Sequence, residues 1–117
     1  MDARERGKLG EMLAEEFLNN NHYSTVAKGW RSRFGEIDLI VNNSEYLVFV
    51  EVKLRKNANF AYAREYVGKA KQNKIRATAS LWLTSHPTRL QPRFDVIEIY
   101  MREETYKPEI IHIENAF

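Results

Sequence analysis

The sequence predicts a mixed α/β fold, a central β-sheet flanked by helices, in the order helix, two or three antiparallel strands, helix, strand, strand. Three observations carry this expectation. The chain opens with apolar residues at helical spacing. Two strongly apolar runs joined by a short turn follow. A second helical stretch then separates those runs from further strand patterns. Runs of strands interleaved with helices in this way layer a sheet between helices.

The first helix is expected from Ala3 to Asn19, where Leu9, Leu13, Ala14, Phe17 and Leu18 share one stripe. The Asn19-Asn20-Asn21 cluster ends it. A short strand is expected over Ser24 to Trp30. Gly35 to Val41 alternates, Asn42-Asn43-Ser44 signals a turn, and Tyr46 to Lys53 is almost continuously apolar. The two runs predict a β-hairpin at the centre of the sheet, its second strand buried on both faces. Lys56 to Tyr62 reads as a loop. A long helix is expected over Ala63 to Thr84, with Val67, Ile75, Thr78 and Trp82 inward and Ser85-His86-Pro87 as its stop. Arg93 to Tyr100 and Glu109 to Ile113 complete the strands.

The 117 residues suit one domain. With no cysteine, disulfides, thiolate metal sites and cysteine nucleophiles are excluded. That usage fits a reducing cytosol, so a cytoplasmic protein is expected. No apolar run approaches the ~20 residues of a membrane span, and the charged segment Met1 to Lys8 does not read as a signal peptide. The net charge of +2 hides an asymmetry. Lys53, Arg55, Lys56, Arg64, Lys69, Lys71, Lys74 and Arg76 are accompanied by a single acid, Glu65. Such a stretch suits a polyanion, although a solvated helix face with a basic bias has the same composition.

Alternation along strands places Glu36 and Asp38 on one face, with Ile37, Leu39 and Val41 on the other. Glu51 and Lys53 share a face of the next strand, beneath Phe49. The hairpin can therefore gather Glu36, Asp38, Glu51 and Lys53 at one end of the sheet. Glu51 is the informative residue, because it lies between Val50 and Val52 inside an apolar run. Burial of an unpaired carboxylate costs several kcal/mol. Lys53 can offset one charge but not three. A hard cation, Mg²⁺ or Mn²⁺, takes carboxylate oxygens together with water and phosphate. Such an ion polarises a phosphoryl oxygen and activates water, and an adjacent lysine stabilises the developing charge. The plainer alternative is an exposed salt bridge from Asp38 or Glu51 to Lys53, worth little.

Two helical residues bear on the choice. Lys71 falls on the inner stripe of the second helix, where it must snorkel or meet an anion. Glu11 borders the apolar face of the first helix, and Glu15 and Glu16 turn further away. His22, His86 and His112 lack ligand spacing, and the five glycines form no phosphate cradle. Asp95 reads as the ion-pair partner of Arg93. Phe34, Phe60, Tyr62 and Tyr66 can either stack on bases or belong to the core.

Six segments resemble a known family: Gly7 to Leu18 (GKLGEMLAEEFL), Gly35 to Ile40 (GEIDLI), Val48 to Arg55 (VFVEVKLR), Lys71 to Ile75 (KQNKI), Arg93 to Ile97 (RFDVI) and the terminal Asn115-Ala116-Phe117. They resemble the YraN-like family of small bacterial proteins over nearly the whole chain. That family is similar in motif to archaeal Holliday-junction resolvases within the restriction-endonuclease-like, PD-(D/E)XK superfamily. The resemblance implies a restriction-endonuclease-like α-β-β-β-α-β core, with Asp38 as metal-binding aspartate, Glu51 as second acid and Lys53 as the motif lysine. It implies Glu11 as a helical glutamate completing the metal site, Glu36 as the acid preceding the aspartate, and Lys71 as a lysine facing the site. The family pattern of Phe-Gly and a following proline after the motif is replaced here by Phe60-Ala61 and Ala63.

The expected activity is therefore Mg²⁺- or Mn²⁺-dependent hydrolysis of DNA phosphodiesters, with branched or flapped DNA among the candidate substrates. Arg31, Arg33, Arg55, Lys56 and Lys71 would hold phosphates, which gives affinity without sequence choice. A homodimer would match the two symmetric cuts of a four-way junction. Two other readings stand beside it: a non-catalytic nucleic-acid-binding module on the same fold, and an interaction scaffold with neither property.

Overall fold

Residue Asp2 begins the first helix by a reciprocal cap. Its side chain accepts from the Glu5 N–H at 2.9 Å, and the Glu5 carboxylate accepts from the Asp2 N–H at 3.3 Å. The computed structural model describes residues 2–55, 67–101 and 107–117. Helix α1 (Ala3–Asn20) buries Gly10, Ala14 and Leu18, one residue per turn on one stripe. It stops where His22 adopts a left-handed φ of 72° and the Tyr23 N–H reaches back to the Leu18 carbonyl at 3.0 Å.

Five strands follow the expected order: β1 (Ser24–Ser32), β2 (Gly35–Asn42), β3 (Tyr46–Arg55), β4 (Gln91–Tyr100) and β5 (Glu109–Ile113). They form one mixed sheet in the order β1-β2-β3-β4-β5. Only β3 and β4 are parallel neighbours, and a parallel pair needs a crossover. Helix α2 (Lys69–Ser85) lies in that crossover. The β2–β3 turn is set by Asn43, whose side chain accepts from the N–H groups of Glu45 and Tyr46 at 2.9 and 2.7 Å.

The sheet is covered on both faces. Ala14 and Leu18 of α1 pack with Leu39, Val41, Val48, Val50, Ile97 and Ile99. Ile75, Ala79 and Trp82 of α2 pack with Ile37, Ile40, Phe49 and Val96 on the other side. Strand β3 is accordingly buried without a break from Leu47 to Glu51, as its apolar run predicts.

Two expectations are corrected. Helix α2 starts at Lys69, because Gly68 is its N-cap in an extended conformation and Val67 lies ahead of it; residues 63–66 lie outside the described residues. Ile37 does not share a face with Leu39 and Val41 but joins Ile40 beneath α2. Simple alternation fails there because the strands leave their regular ladder at Asp38. The β1–β2 pairing passes from Trp30–Ile37 to Lys28–Leu39 without a Gly29–Asp38 pair, and Gly29 takes a φ of 57°.

A second polar centre closes the far side of the sheet. Asp95, fully buried, accepts two hydrogen bonds from Arg93 at 2.9 and 2.8 Å. His112 Nε2 lies 2.6 Å from Asp95 Oδ2, and the Asn115 N–H donates to Oδ1 at 2.9 Å. Arg93 also donates to the Tyr23 hydroxyl at 2.7 Å. Burial alone would raise the Asp95 carboxyl, but the bonds from His112, Arg93 and Asn115 outweigh it and hold it below the ordinary range. The expected Arg93–Asp95 pair is therefore a buried anchor for β5 and for the turn after α1. Asp95→Ala leaves Arg93 buried and uncompensated, so it should lower unfolding stability by about 3–5 kcal/mol, measured by urea denaturation.

Candidate active site

Strands β2 and β3 pair regularly from Asn42–Leu47 as far as Leu39–Val50. Beyond that point they fork. The Val52 N–H donates to Asp38 Oδ2 at 2.8 Å. A carboxylate thus satisfies a strand amide and is fixed against β3 by it. Glu51, the neighbour of Val52, projects on the Phe49 side of β3 and is only 6% exposed. Asp38 and Glu51 stand just beyond the last regular Leu39–Val50 pair, one on each strand, and the charge of Asp38 favours the protonated form of Glu51.

The charge balance explains that proton. Burial and then the charge of Asp38 push Glu51 up to about 7, against the pull of Lys71 and Lys53. Lys53 Nζ lies 3.9 Å from one Glu51 oxygen and Lys71 Nζ 4.0 Å from the other. Both contacts are long, so neither lysine compensates fully. The exposed salt bridge weighed on sequence is not what forms, since Glu51 is buried and Lys53 is only 24% exposed. Lys71 lies at the rim of the inner stripe. It is half-exposed and reaches in to Glu51.

Helix α1 approaches the fork through Gly10, which packs against Val52 and Leu54. The next residue, Glu11, is half-buried. Its carboxyl is raised by burial and then by the charges of Asp38 and Glu36. Glu36 itself pairs with Arg31 at 3.6 Å. Its charge also acts on Glu11. Glu15 turns toward β1, 2.7 Å from the Thr25 hydroxyl and 3.5 Å from Lys28 Nζ, and not away from the sheet as expected.

Among the phosphate-contact candidates, Arg31 and Arg33 are exposed at the β1–β2 hairpin. Arg55 lies beside Tyr100 on the same face as Lys53. Arg76 is engaged over the rings of Phe94 and Phe117 at 5.0 and 5.6 Å, so the basic stretch is not one uniform surface. Lys56, Phe60, Tyr62 and Tyr66 lie outside the described residues.

Sequence reasoning passed over Glu98 and Tyr100. Both are buried on β4, and the Tyr100 hydroxyl donates to Glu98. Glu98 is the register partner of Lys53. The signal that singled out Glu51, an acid within an apolar strand, was present here too, between Ile97 and Ile99.

Among the described residues, no group of three or more His, Cys, Asp or Glu side chains converges as a metal cage. The neighbouring Asp38 and Glu51 carboxyl groups offer hard oxygen donors. That donor set fits Mg²⁺ or Mn²⁺, which are held by one or two carboxylates with water completing the shell.

Fold and site together define a small mixed α/β protein with a buried Glu51 carboxyl beside the half-buried Asp38, flanked by two lysines. The family model described as Uncharacterised protein family UPF0102 matches residues 10–99. A UPF0102 protein of Bifidobacterium longum (strain NCC 2705) is 39% identical over 115 residues, covering 95% of this chain and 91% of that one. One from Caldanaerobacter subterraneus subsp. tengcongensis is 40% identical over 113 residues, covering 95% and 93%. One from Clostridioides difficile (strain 630) is 38% identical over 118 residues and the whole of both chains. The chain belongs to the UPF0102 family, the YraN-like family its motifs resemble. Among the described residues, no helix is long and apolar enough to cross a membrane.

The raised Glu51 group makes a stability prediction. A carboxyl held at about 7 when folded, against an ordinary 4.5, favours the folded state fully below pH 4.5 and loses that contribution as pH rises to about 7. Glu51→Gln mimics the protonated form. Without divalent ions, its melting temperature should match the native chain near pH 4.5 and exceed it at pH 8. The gap corresponds to on the order of 2–3 kcal/mol, read by calorimetry across that window.

Proposed function

We propose that this chain is a Mg²⁺- or Mn²⁺-dependent nuclease that hydrolyses phosphodiester bonds in DNA. The observation that carries the reading is the Glu51 carboxyl, buried at 6% exposure in an apolar strand, with the Asp38 carboxylate fixed against the same strand by the Val52 amide. A buried acid pair is poor scaffolding, because an apolar pair of the same volume would be at least as stable. It is useful where a cation and a phosphate arrive together. The resemblance of the Asp38, Glu51 and Lys53 motif to PD-(D/E)XK nucleases supports the same chemistry.

Asp38 and Glu51 would hold the ion, with Glu11 near enough to Asp38 to complete its surroundings. A bound divalent ion supplies positive charge to the phosphoryl oxygen and lowers the pKa of water. Asp38 is oriented by the Val52 amide. On binding an ion, Glu51 would give its proton to solvent. Lys53, beside Glu51 and partly open to solvent, is placed to orient a water nucleophile and stabilise developing charge. Lys71, with Arg31 and Arg33 on the hairpin, would meet the phosphate backbone, so affinity for DNA should fall with added salt.

Cleavage of labelled duplex, flapped and four-way DNA in Mg²⁺ or Mn²⁺ tests the reading. The native chain should cut at least one of these. Glu51→Gln and Lys53→Met should each lower the rate by about 10²-fold or more, while a gel-shift assay shows DNA binding retained. Binding without cleavage under every condition would leave the non-catalytic module. Absence of both sinks the reading.

A calorimetric titration with Mn²⁺ adds a pH arm. Glu51 is protonated below about 7. Affinity should therefore weaken as pH falls from 8 to 6, with about one proton released per ion on the acidic side. Glu51→Gln should abolish both the affinity and the proton release.

A further inference from the structure

We propose that Phe34, at the tip of the β1–β2 hairpin, is a nucleobase-stacking site, and that the chain therefore prefers nucleic acid with an unpaired base over continuous duplex. The inference rests on the nuclease reading and names its substrate class. Among the described residues, the exposed large hydrophobics are Met12, Val26, Phe34 and Ile111, and Phe34, at 40% exposure, is the aromatic among them. The hairpin turn consists of Arg33 and Phe34 between Ser32 and Gly35. Turn geometry does not call for an aromatic; glycine, asparagine and aspartate are the usual choices. Neither Arg33 nor Phe34 has a positive φ, and Gly35 takes the unusual φ of 156° instead.

The tip is held firmly. The Phe34 N–H donates to Ser32 Oγ at 3.0 Å. Ser32 Oγ lies 2.9 Å from Thr78 Oγ1, which donates to the Lys74 carbonyl at 2.8 Å. A Cβ on Gly35 would stand 3.6 Å from Lys74 Cβ. The ring is thus presented from a hairpin docked on α2, and a rigid aromatic loses little entropy when it binds.

Its surroundings suit a phosphate-linked base. The Arg33 guanidinium lies 4.8 Å from the ring centroid, and Arg31 is 80% exposed. Lys74 adjoins the hairpin, and Lys71, one turn earlier on α2, reaches Glu51 at 4.0 Å. Aromatic ring, cations and carboxylate pair therefore succeed one another along one side of α2. In continuous duplex every base face is covered by its neighbours. A gap, flap or junction offers a free face, and stacking on it is tolerant of sequence.

The test uses two oligonucleotides carrying 2-aminopurine, one with the probe unpaired in a short gap and one with it paired in continuous duplex. Affinity and probe quenching are measured in Mg²⁺, with strand integrity checked on a gel. The native chain should bind the gapped DNA more tightly and quench its probe. Phe34→Leu, which keeps apolar bulk but loses the ring face, should weaken gapped binding about tenfold and abolish the quenching. It should leave duplex binding unchanged. Phe34→Trp should restore both, which shows that the variants fold. Unchanged gapped binding in Phe34→Leu, or equal loss on both DNAs, overturns the stacking site while leaving the nuclease reading intact. Failure of the native chain to bind either DNA overturns both.

Discussion

A carboxyl in the middle of an apolar strand must find a partner for its charge or keep its proton. Burial and then the charge of Asp38 push Glu51 toward the second. Much of the local architecture follows from that requirement. The strands part at Asp38 because its side chain takes the Val52 amide that the ladder would otherwise use. Two lysines approach to about 4 Å without closing on the pair. The result is a site with a proton to give up and long, weak contacts that a cation can replace at little cost.

The other buried charge cluster behaves differently. Asp95 is saturated by Arg93, His112 and the Asn115 amide. It has no proton to yield, and its bonds join strands from distant parts of the chain. The two centres contain similar residues, yet one is closed and the other is left short of donors. That contrast, more than the presence of acids, separates an anchor from a reactive site.

Element types were readable from period and turn chemistry. The range of β5 is the one expected and α1 runs one residue past its expected end, because a short apolar run and an asparagine cluster mark them. Alternation failed at Ile37, since a two-residue period presumes an unbroken ladder and Asp38 interrupts it. The start of α2 was misplaced because Val67 suits either an inner helical stripe or the apolar residue ahead of a cap. Glu51 was legible as an acid out of place. Glu98 carried the same signature and was missed, as was the reach of Arg93 to Tyr23, a contact between residues too far apart in the chain for spacing to reveal.

The topology also fixes the order in which the site's members can meet during folding. Asp38 and Glu51 lie on adjacent strands of one hairpin, so short loop closure can bring them together early. Lys71 arrives only when the crossover helix settles and β4 finds its parallel register, a non-local step that is intrinsically slower. An emerging hairpin therefore holds two acids side by side before the second base is in place, and the largest push on Glu51, its burial, comes only as the helices pack.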